Sequence, residues 1–484
     1  MADSAGMIDS PGMADSTARG DSPFRRWLTL DRIFVAIAII IGNALIVIVP
    51  PFQAADEAQH FFRAWQITEG QFICRDKTSL GEAGGYLPFS VYAFWMRFEP
   101  MAINPDVKTS ARAILDTFHM PLDPQNRSLI EFGNTAHYCP TNYLPQCIGI
   151  AIGRALGLPL PMILYLGREF NLLVFTLLGC LSLRWAPAIA RPMFLLVAIP
   201  TMLCLAASVS GDTLTDGLAF VFTALICRLY AAGPNSIHRR QFLLLLLITI
   251  PLSVGKIVYV PLLALLLLIP AANFGGMGRK AAMIFLLAVM NLTALVTWTS
   301  ATSNLDTRIT TQNYVSPSLQ LQELEKTPGR IPRLFYNTAV TGGWFVVTTY
   351  VAVIGWMDLN FPPGDVIIYL LLILLACWAA ARNFPLPAPL PAAAVILPAV
   401  IVSFIGIGLL NYLYWTAVGA PHIVGLQGRY FFPLTPAVFI LFCGLARRLP
   451  RLPVADRKID AALVFLVMLF LVYLLESVWT RFYA

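Results

Sequence analysis

A chain of 484 residues with 58% hydrophobic and only 12% charged residues, at a mean hydropathy of +0.71, is too apolar for a water-soluble globule. Soluble domains carry roughly twice that charged fraction. The net charge of +7 comes from Lys and Arg scattered along loops between apolar runs, which points to a membrane as partner and away from nucleic acid.

The chain opens with MADSAGMIDSPGMADSTARGDSP, an Ala/Asp/Ser/Gly stretch with a near-repeat of Met-x-Asp-Ser. It has too few apolar residues to pack, so residues 1–28 read as a disordered cytoplasmic tail. The charged-then-apolar layout of a cleaved signal peptide is missing, and the first span reads as a retained signal anchor. Arg25, Arg26 and Arg32 beside it put the N-terminus in the cytoplasm. Residues 29–484 then form a single membrane-embedded domain.

A window of about 20 residues predicts an all-α polytopic protein of about eleven spans, within a range of ten to thirteen. They fall at 31–50, 163–183, 192–208, 216–231, 241–254, 257–270, 281–299, 363–381, 386–410, 430–446 and 459–478. Alternate short loops are basic: Arg184 and Arg191, then Arg228, Arg239 and Arg240, then Arg279 and Lys280, then Arg382. Arg447, Arg448, Arg451, Arg457 and Lys458 complete the set. With the N-terminus inside, all of these loops are cytoplasmic and the C-terminal RFYA lies outside. Residues 141–157 are apolar but short, and read as an interfacial or re-entrant helix on the outer side. Residues 330–355, interrupted by Gly342-Gly343, allow zero or two crossings. The outer face thus holds a large loop at 51–160 and a second segment at 300–360. The first loop contains Cys74, Cys139 and Cys147. One disulfide from Cys74 to either partner, or three free thiols, both stay open.

The polar residues gather at the outer ends of these spans. Pro50-Pro51 stops the first helix, and PPFQAADEAQHFFRAWQ follows as an amphipathic helix with Asp56, His60 and Arg63 on one stripe beside Glu57. SVSGDTLTD supplies Asp212 and Asp216, and SVGKIVY supplies Lys256. APHIVGLQGRYFFP supplies His422, Gln427, Arg429 and Tyr430, with Gly425 and Gly428 suggesting a close backbone approach. Ionisable groups at a membrane boundary cost free energy unless paired or used. Each also has a structural reading. Asp56 with Gln59 fits a capping box, Asp212 could cap a helix from Thr213, Lys256 could snorkel, and Arg429 could anchor at the interface. His60, His137 and His422 fit packing or hydrogen bonding better than metal ligation. No P-loop, no G-x-S-x-G elbow and no zinc-ligand spacing occurs in the sequence.

PPFQAADEAQHFFRAWQITEGQ, SVSGDTLTDGLAF, VGKIVYVPL and GLQGRYFFP, in that order over about 50–450, resemble the bacterial polytopic membrane family catalogued as domain of unknown function 2142. That family in turn resembles the glycosyltransferase C superfamily, whose members have many spans, an acidic motif in the first outer loop and a polyprenyl-phosphate-linked sugar as donor. The usual form places a proline directly before Asp-Glu; here Ala54-Ala55 intervene. The resemblance implies a glycosyltransferase C-like fold in a bacterial inner membrane and an inverting transfer to an envelope glycan, lipid or protein acceptor. Asp56 would be the general base, with Glu57 orienting the acceptor or replacing it. Arg429 and Lys256 would hold the lipid phosphate. His60, Gln427 and Tyr430 would line the substrate site. Asp212 would bind sugar hydroxyls or, with another carboxylate, a divalent cation; no other cofactor is implied. Two rival classes remain. A transporter or flippase of lipid-linked glycans should show repeats and broken helices at mid-membrane. A non-catalytic envelope-assembly scaffold would need no acid, base and phosphate-binding groups on one face.

Overall fold

The computed structural model describes residues 29–78, 82–305, 314–327, 329–380, 385–450 and 452–484. The tail predicted for 1–28, with Arg25 and Arg26, lies outside the described residues, as do Arg382 and Arg451. What is described is a polytopic α-helical membrane protein. Among these residues, seven helices are long and apolar enough to cross a bilayer: Leu30–Ile48 (α1), Leu160–Trp185, Asp212–Ala231, Met277–Ala301, Pro389–Tyr414, Gly428–Ala446 and Asp456–Tyr483. The pair Pro187–Val197 and Pro200–Ala206, bent by 74°, makes an eighth if taken as one span. Its break falls where Pro200 removes a backbone donor, so the segment expected at 192–208 is not one straight helix.

The other three expected spans are shorter. Arg239–Gly255 has 17 residues, Pro363–Trp378 has 16, and Ile257–Leu268 is a 12-residue 3₁₀ segment containing Pro261. At about 1.5 Å per residue, the first reaches about 25 Å, short of a full hydrocarbon core of about 30 Å. Residues 330–351 form one unbroken helix, so Gly342-Gly343 does not split it and two crossings are excluded. Arg330 donates to the carbonyls of Gly419 and Ala420, and Gly428 packs on Val346 and Tyr350.

The two ends of the bundle differ in chemistry. At one end Arg184 pairs with Asp31 (2.5 Å), and Arg191 with Asp456 (3.0 Å) and Asp460 (2.7 Å). There too Lys280 donates to the carbonyls of Leu267 (2.9 Å) and Ile269 (2.7 Å), capping that 3₁₀ segment. The other end carries the 51–160 segment, which has its own core of Phe52, Phe61, Phe62, Trp65, Phe94 and Phe132. Helix α2 (Glu57–Thr68) packs there on a three-stranded antiparallel sheet of β1 (Asp76–Lys77), β2 (Ala83–Pro88) and β3 (Arg127–Glu131), with Gly84 opposite Glu131. Sequence patterning shows only short helices in this loop. The strands escaped it because they are short and glycine-bearing. Helix Leu144–Ala155, expected to be interfacial, lies beside the first turns of Leu160–Trp185, Gly149 against the Leu166 carbonyl. It exposes Leu144, Ile148, Ile152 and Leu156 along one stripe. A hairpin of β4 (Val353–Ile354) and β5 (Leu359–Asn360) reaches the turn after α1 through Trp356 Nε1, which donates to the Phe52 carbonyl, and Asp358 pairs with Arg481 at 2.5 Å, fixing the C-terminal helix to the same end.

The open disulfide question resolves to thiols: Cys74, Cys139 and Cys147 are all free. Cys74 Sγ donates to the Gly84 carbonyl (2.7 Å) and Cys147 Sγ to that of Ala64 (3.5 Å), so these two thiols are satisfied by backbone rather than by another sulfur.

This polarity gives a topological prediction. Cysteines placed at Arg75 and Val424, in a chain with its native cysteines replaced, should react with a membrane-impermeant maleimide on intact spheroplasts. A cysteine at Arg240 should react only after permeabilisation. Labelling at Arg240 in intact spheroplasts would reverse the orientation.

Candidate functional site

Four segments distant in sequence meet at the end opposite the basic loops. The first is the turn after α1. Arg168, in the interior of the apolar 160–185 helix, fixes it: Nη1 donates to the carbonyls of Ile46 (2.9 Å) and Val49 (2.8 Å), and Nη2 to that of Pro50 (3.0 Å). The first two are carbonyls that the end of a helix leaves without partners; the third also accepts from the Gln53 N–H at 3.2 Å. The remaining donors of the guanidinium grip Glu57, Nε to Oε1 at 2.8 Å and Nη2 to Oε2 at 2.6 Å, with both side chains 0% exposed. Glu57 Oε1 also accepts from the Val209 backbone at 2.9 Å, tying the loop before Asp212 to the same anchor.

Glu57 therefore faces inward and Asp56 faces out. Asp56 is the N-cap residue of α2, but at φ 61° it sits in the left-handed region and makes no side-chain cap. The capping-box reading with Gln59 fails for that reason. Its carboxylate accepts instead from Arg429 Nη2 at 3.1 Å, with Asp56 32% and Arg429 8% exposed. Arg429 is presented by Gly428, where any Cβ would lie 2.2 Å from the Val346 carbonyl oxygen, and whose N–H donates to Thr349 Oγ1 at 2.7 Å. Among the described residues, Arg429 Nε is buried and without a partner.

Asp212 opens its helix rather than capping it; the N-cap is Gly211. Its carboxylate lies 2.6 Å from Lys256 Nζ. Lys256, expected as a snorkelling candidate, is instead half-enclosed by aromatic rings, 5.7 Å from the Tyr138 centroid and 5.3 Å from that of Tyr430. Such faces favour a cation. Arg429 lies over Tyr430 as well, at 5.5 Å.

His60 sits between the two ion pairs. It shares a 2.8 Å hydrogen bond with the Tyr143 hydroxyl and stacks on Tyr138. Burial holds its imidazole below the ordinary 6.5, against the pull of the Asp212 and Asp56 carboxylates, while Arg429 and Lys256 push the same way as burial. Burial raises the Tyr143 phenol well above 10 and that of Tyr138 to about 12. All three rings are therefore neutral at pH 7, a low-charge lining that strengthens the two ion pairs beside it.

Asp56, His60, Asp212, Lys256, Arg429 and Tyr430 thus share one site. Arg63, on the same sequence stripe, does not join it: Nη2 is spent on the Phe72 carbonyl (2.6 Å) and Nη1 on Gln66 Oε1 (2.5 Å). The loop holding His422 is fastened to the 330–351 helix through Asn337 and Thr338. Gln427 lines a narrow cleft of about 30 Å³ beside Arg429, bounded also by Val49, Gln53, Leu205, Thr349 and Met357. An ammonium occupies the open side of Asp212, and among the described residues no group of three or more His, Cys, Asp or Glu converges.

Sequence reasoning missed Arg168, Tyr138, Tyr143 and Gln53. The signal for Arg168 was present, because a single arginine inside an apolar span is too costly to be idle. The aromatic residues carried no such signal.

A bundle of apolar helices with a cluster of buried, paired charges at one end defines a polytopic membrane protein with a polar site at that end. The chain belongs to the family described as "Predicted membrane protein (DUF2142)", whose model matches residues 39–438. Comparison with curated proteins gives no match.

Proposed function

We propose that the protein is an inverting glycosyltransferase that takes a sugar from a polyprenyl-phosphate donor at the outer face of a bacterial inner membrane and passes it to an envelope glycan, lipid or protein. The observation that carries this reading is Arg429, a buried guanidinium with an unpartnered Nε, hydrogen-bonded through Nη2 to a carboxylate on a strained turn. A phosphate can take Nε and Nη2 together in the bidentate geometry arginine favours. Asp56 is then released beside it as the base. Asp56 removes the acceptor hydroxyl proton, the acceptor oxygen bonds to the anomeric carbon, and the bond from that carbon to the phosphate oxygen breaks. The leaving lipid phosphate gains a negative charge, which Arg429 and Lys256 stabilise. Asp212 keeps Lys256 aimed at the site, and Glu57 serves as anchor. The fold that this reading calls for is glycosyltransferase C-like, with the three shorter helical segments completing eleven crossings.

Arg429→Lys is the test. It keeps the charge and loses the fork, so transfer from a synthetic polyprenyl-phosphate sugar should fall about tenfold or more, in use of donor rather than acceptor. Wild-type kinetics would reduce Arg429 to an interfacial anchor.

One observation favours a second reading, a flippase of lipid-linked glycans. The pair Pro187–Val197 and Pro200–Ala206 is broken by 74° beside the cleft, the kind of interruption found in transporters. Scrambling of a fluorescent polyprenyl-phosphate sugar in proteoliposomes without acceptor would support that reading. Transfer without scrambling would support the enzyme.

A further inference from the structure

The cleft beside Arg429 contains a second buried polar atom that the chemistry above leaves unused. Gln53 lies in the turn after Pro50-Pro51 and is 1% exposed. Its Nε2 donates to the Phe98 carbonyl at 2.8 Å. A carbonyl only accepts, so this bond fixes which end of the amide is which and leaves Oε1 at the other end. Among the described residues, Gln53 Oε1 is buried with no hydrogen-bond partner, as is Arg429 Nε, and both residues line the same cleft. The hydroxyls of Ser208 and Thr349 also line it but are spent: Ser208 donates to the Leu205 carbonyl, and Thr349 donates to that of Phe345 and accepts from Gly428. Buried polar atoms without partners are rare, and each calls for an explanation.

The backbone around Gln53 is held at a cost. Phe52 (φ 64°), Asp56 (φ 61°) and Met357 (φ 68°) are three of the five non-glycine residues with positive φ among the described residues. Phe52 and Asp56 bracket Gln53, and Met357 lies across the cleft. The Phe52 carbonyl accepts from Trp356 Nε1 at 3.2 Å, so the β4–β5 hairpin clamps this turn. Strained residues held by their surroundings concentrate at ligand sites.

A ligand that satisfies both atoms must offer an acceptor to Arg429 Nε and a donor to Gln53 Oε1 within one small cleft. A phosphate joined to a sugar has both; a bare lipid phosphate has only the first. We propose that Gln53 reads the transferred sugar, its Oε1 accepting from a sugar hydroxyl while Arg429 Nε donates to the adjoining phosphate. Gln53 then distinguishes the loaded donor from the spent carrier, because loss of the sugar strips Oε1 of its partner and favours release of the product. This rests on the glycosyltransferase reading and adds a specificity-determining residue to it. At about 30 Å³ the cleft has room for water alone, so it must widen when the sugar binds.

Binding to the full-length protein in nanodiscs tests this. The probes are polyprenyl phosphate, its glucose, mannose and galactose conjugates, and the deoxy-sugar forms of whichever binds best. The wild-type protein should bind at least one conjugate about tenfold more tightly than bare polyprenyl phosphate, the effect expected of one buried hydrogen bond. Gln53→Met should bring that preference close to one and leave bare-lipid affinity within about twofold. Arg429→Gln should weaken both ligands. Removing one particular sugar hydroxyl should reproduce the Gln53→Met loss in the unaltered protein, which separates recognition from damage to the Phe98 anchor. A preference that survives Gln53→Met, or none in the wild type, overturns the role of Gln53. In that case Arg429→Gln still weakening bare-lipid binding leaves the phosphate site standing. If no polyprenyl phosphate binds at all, the glycosyltransferase reading fails with it.

Discussion

Asp56→Asn is expected to cut sugar transfer by roughly two to four orders of magnitude, the range a positioned general base supplies, with folded yield unchanged. The geometry separates the two effects. Asp56 makes no helix cap, and among the described residues its side-chain ion pair is with Arg429 at 3.1 Å. Its φ of 61° is a conformation that Asn tolerates about as well as Asp. The substitution therefore keeps volume and backbone but removes the charge that accepts the proton. Turnover of a polyprenyl-phosphate sugar, measured beside a thermal unfolding curve of the same preparation, checks it. Should Asp56→Asn turn over normally while Asp212→Asn does not, the base is the carboxylate now facing Lys256. Should both turn over normally, the cluster is structural and the enzymatic reading falls.

The membrane class, the acid-bearing turn after α1 and the grouping of Asp56, Asp212, Lys256 and Arg429 were all legible in the sequence, because each has a local cause. An apolar run of spanning length, a proline pair and a polar motif at a helix end can be seen without knowing the fold. What could not be seen is which of two adjacent carboxylates faces the site. Asp56 and Glu57 differ by one residue, and the choice depends on Arg168, 111 positions away from Glu57. The same holds for Lys256, whose snorkelling appearance in sequence is reversed by the rings of Tyr138 and Tyr430. Span counting was weakest where helices are shortened by prolines, at Pro200 and Pro261, since hydropathy registers apolarity and not length along an axis. The 330–351 helix was ambiguous for the opposite reason: it is long enough, but its polar residues serve contacts with the 415–428 loop.

Breaking the Arg168–Glu57 anchor should cost more stability than any other single change at this end of the protein. Both side chains are 0% exposed, and the pair is bidentate. Removing one partner of a buried ion pair leaves the other charge uncompensated, at about 3–5 kcal/mol. For Arg168→Met the loss extends further, because the carbonyls of Ile46 and Val49 lose their donor together, and that of Pro50 keeps only the Gln53 N–H. Glu57→Gln keeps the shape and one acceptor, so it should be the milder of the two. The double variant Glu57→Met, Arg168→Met should recover part of the loss, since replacing both charges by apolar groups avoids the buried lone ion, but not all of it, because the Ile46 and Val49 carbonyls and the Val209 N–H lose their partners. Thermal unfolding in detergent, followed by Trp fluorescence, should rank the variants in that order, with turnover falling only as the folded fraction falls. A Glu57→Gln protein that melts like the wild type yet has lost turnover would return Glu57 to the chemistry and make Arg168 its positioning partner rather than a brace for the turn.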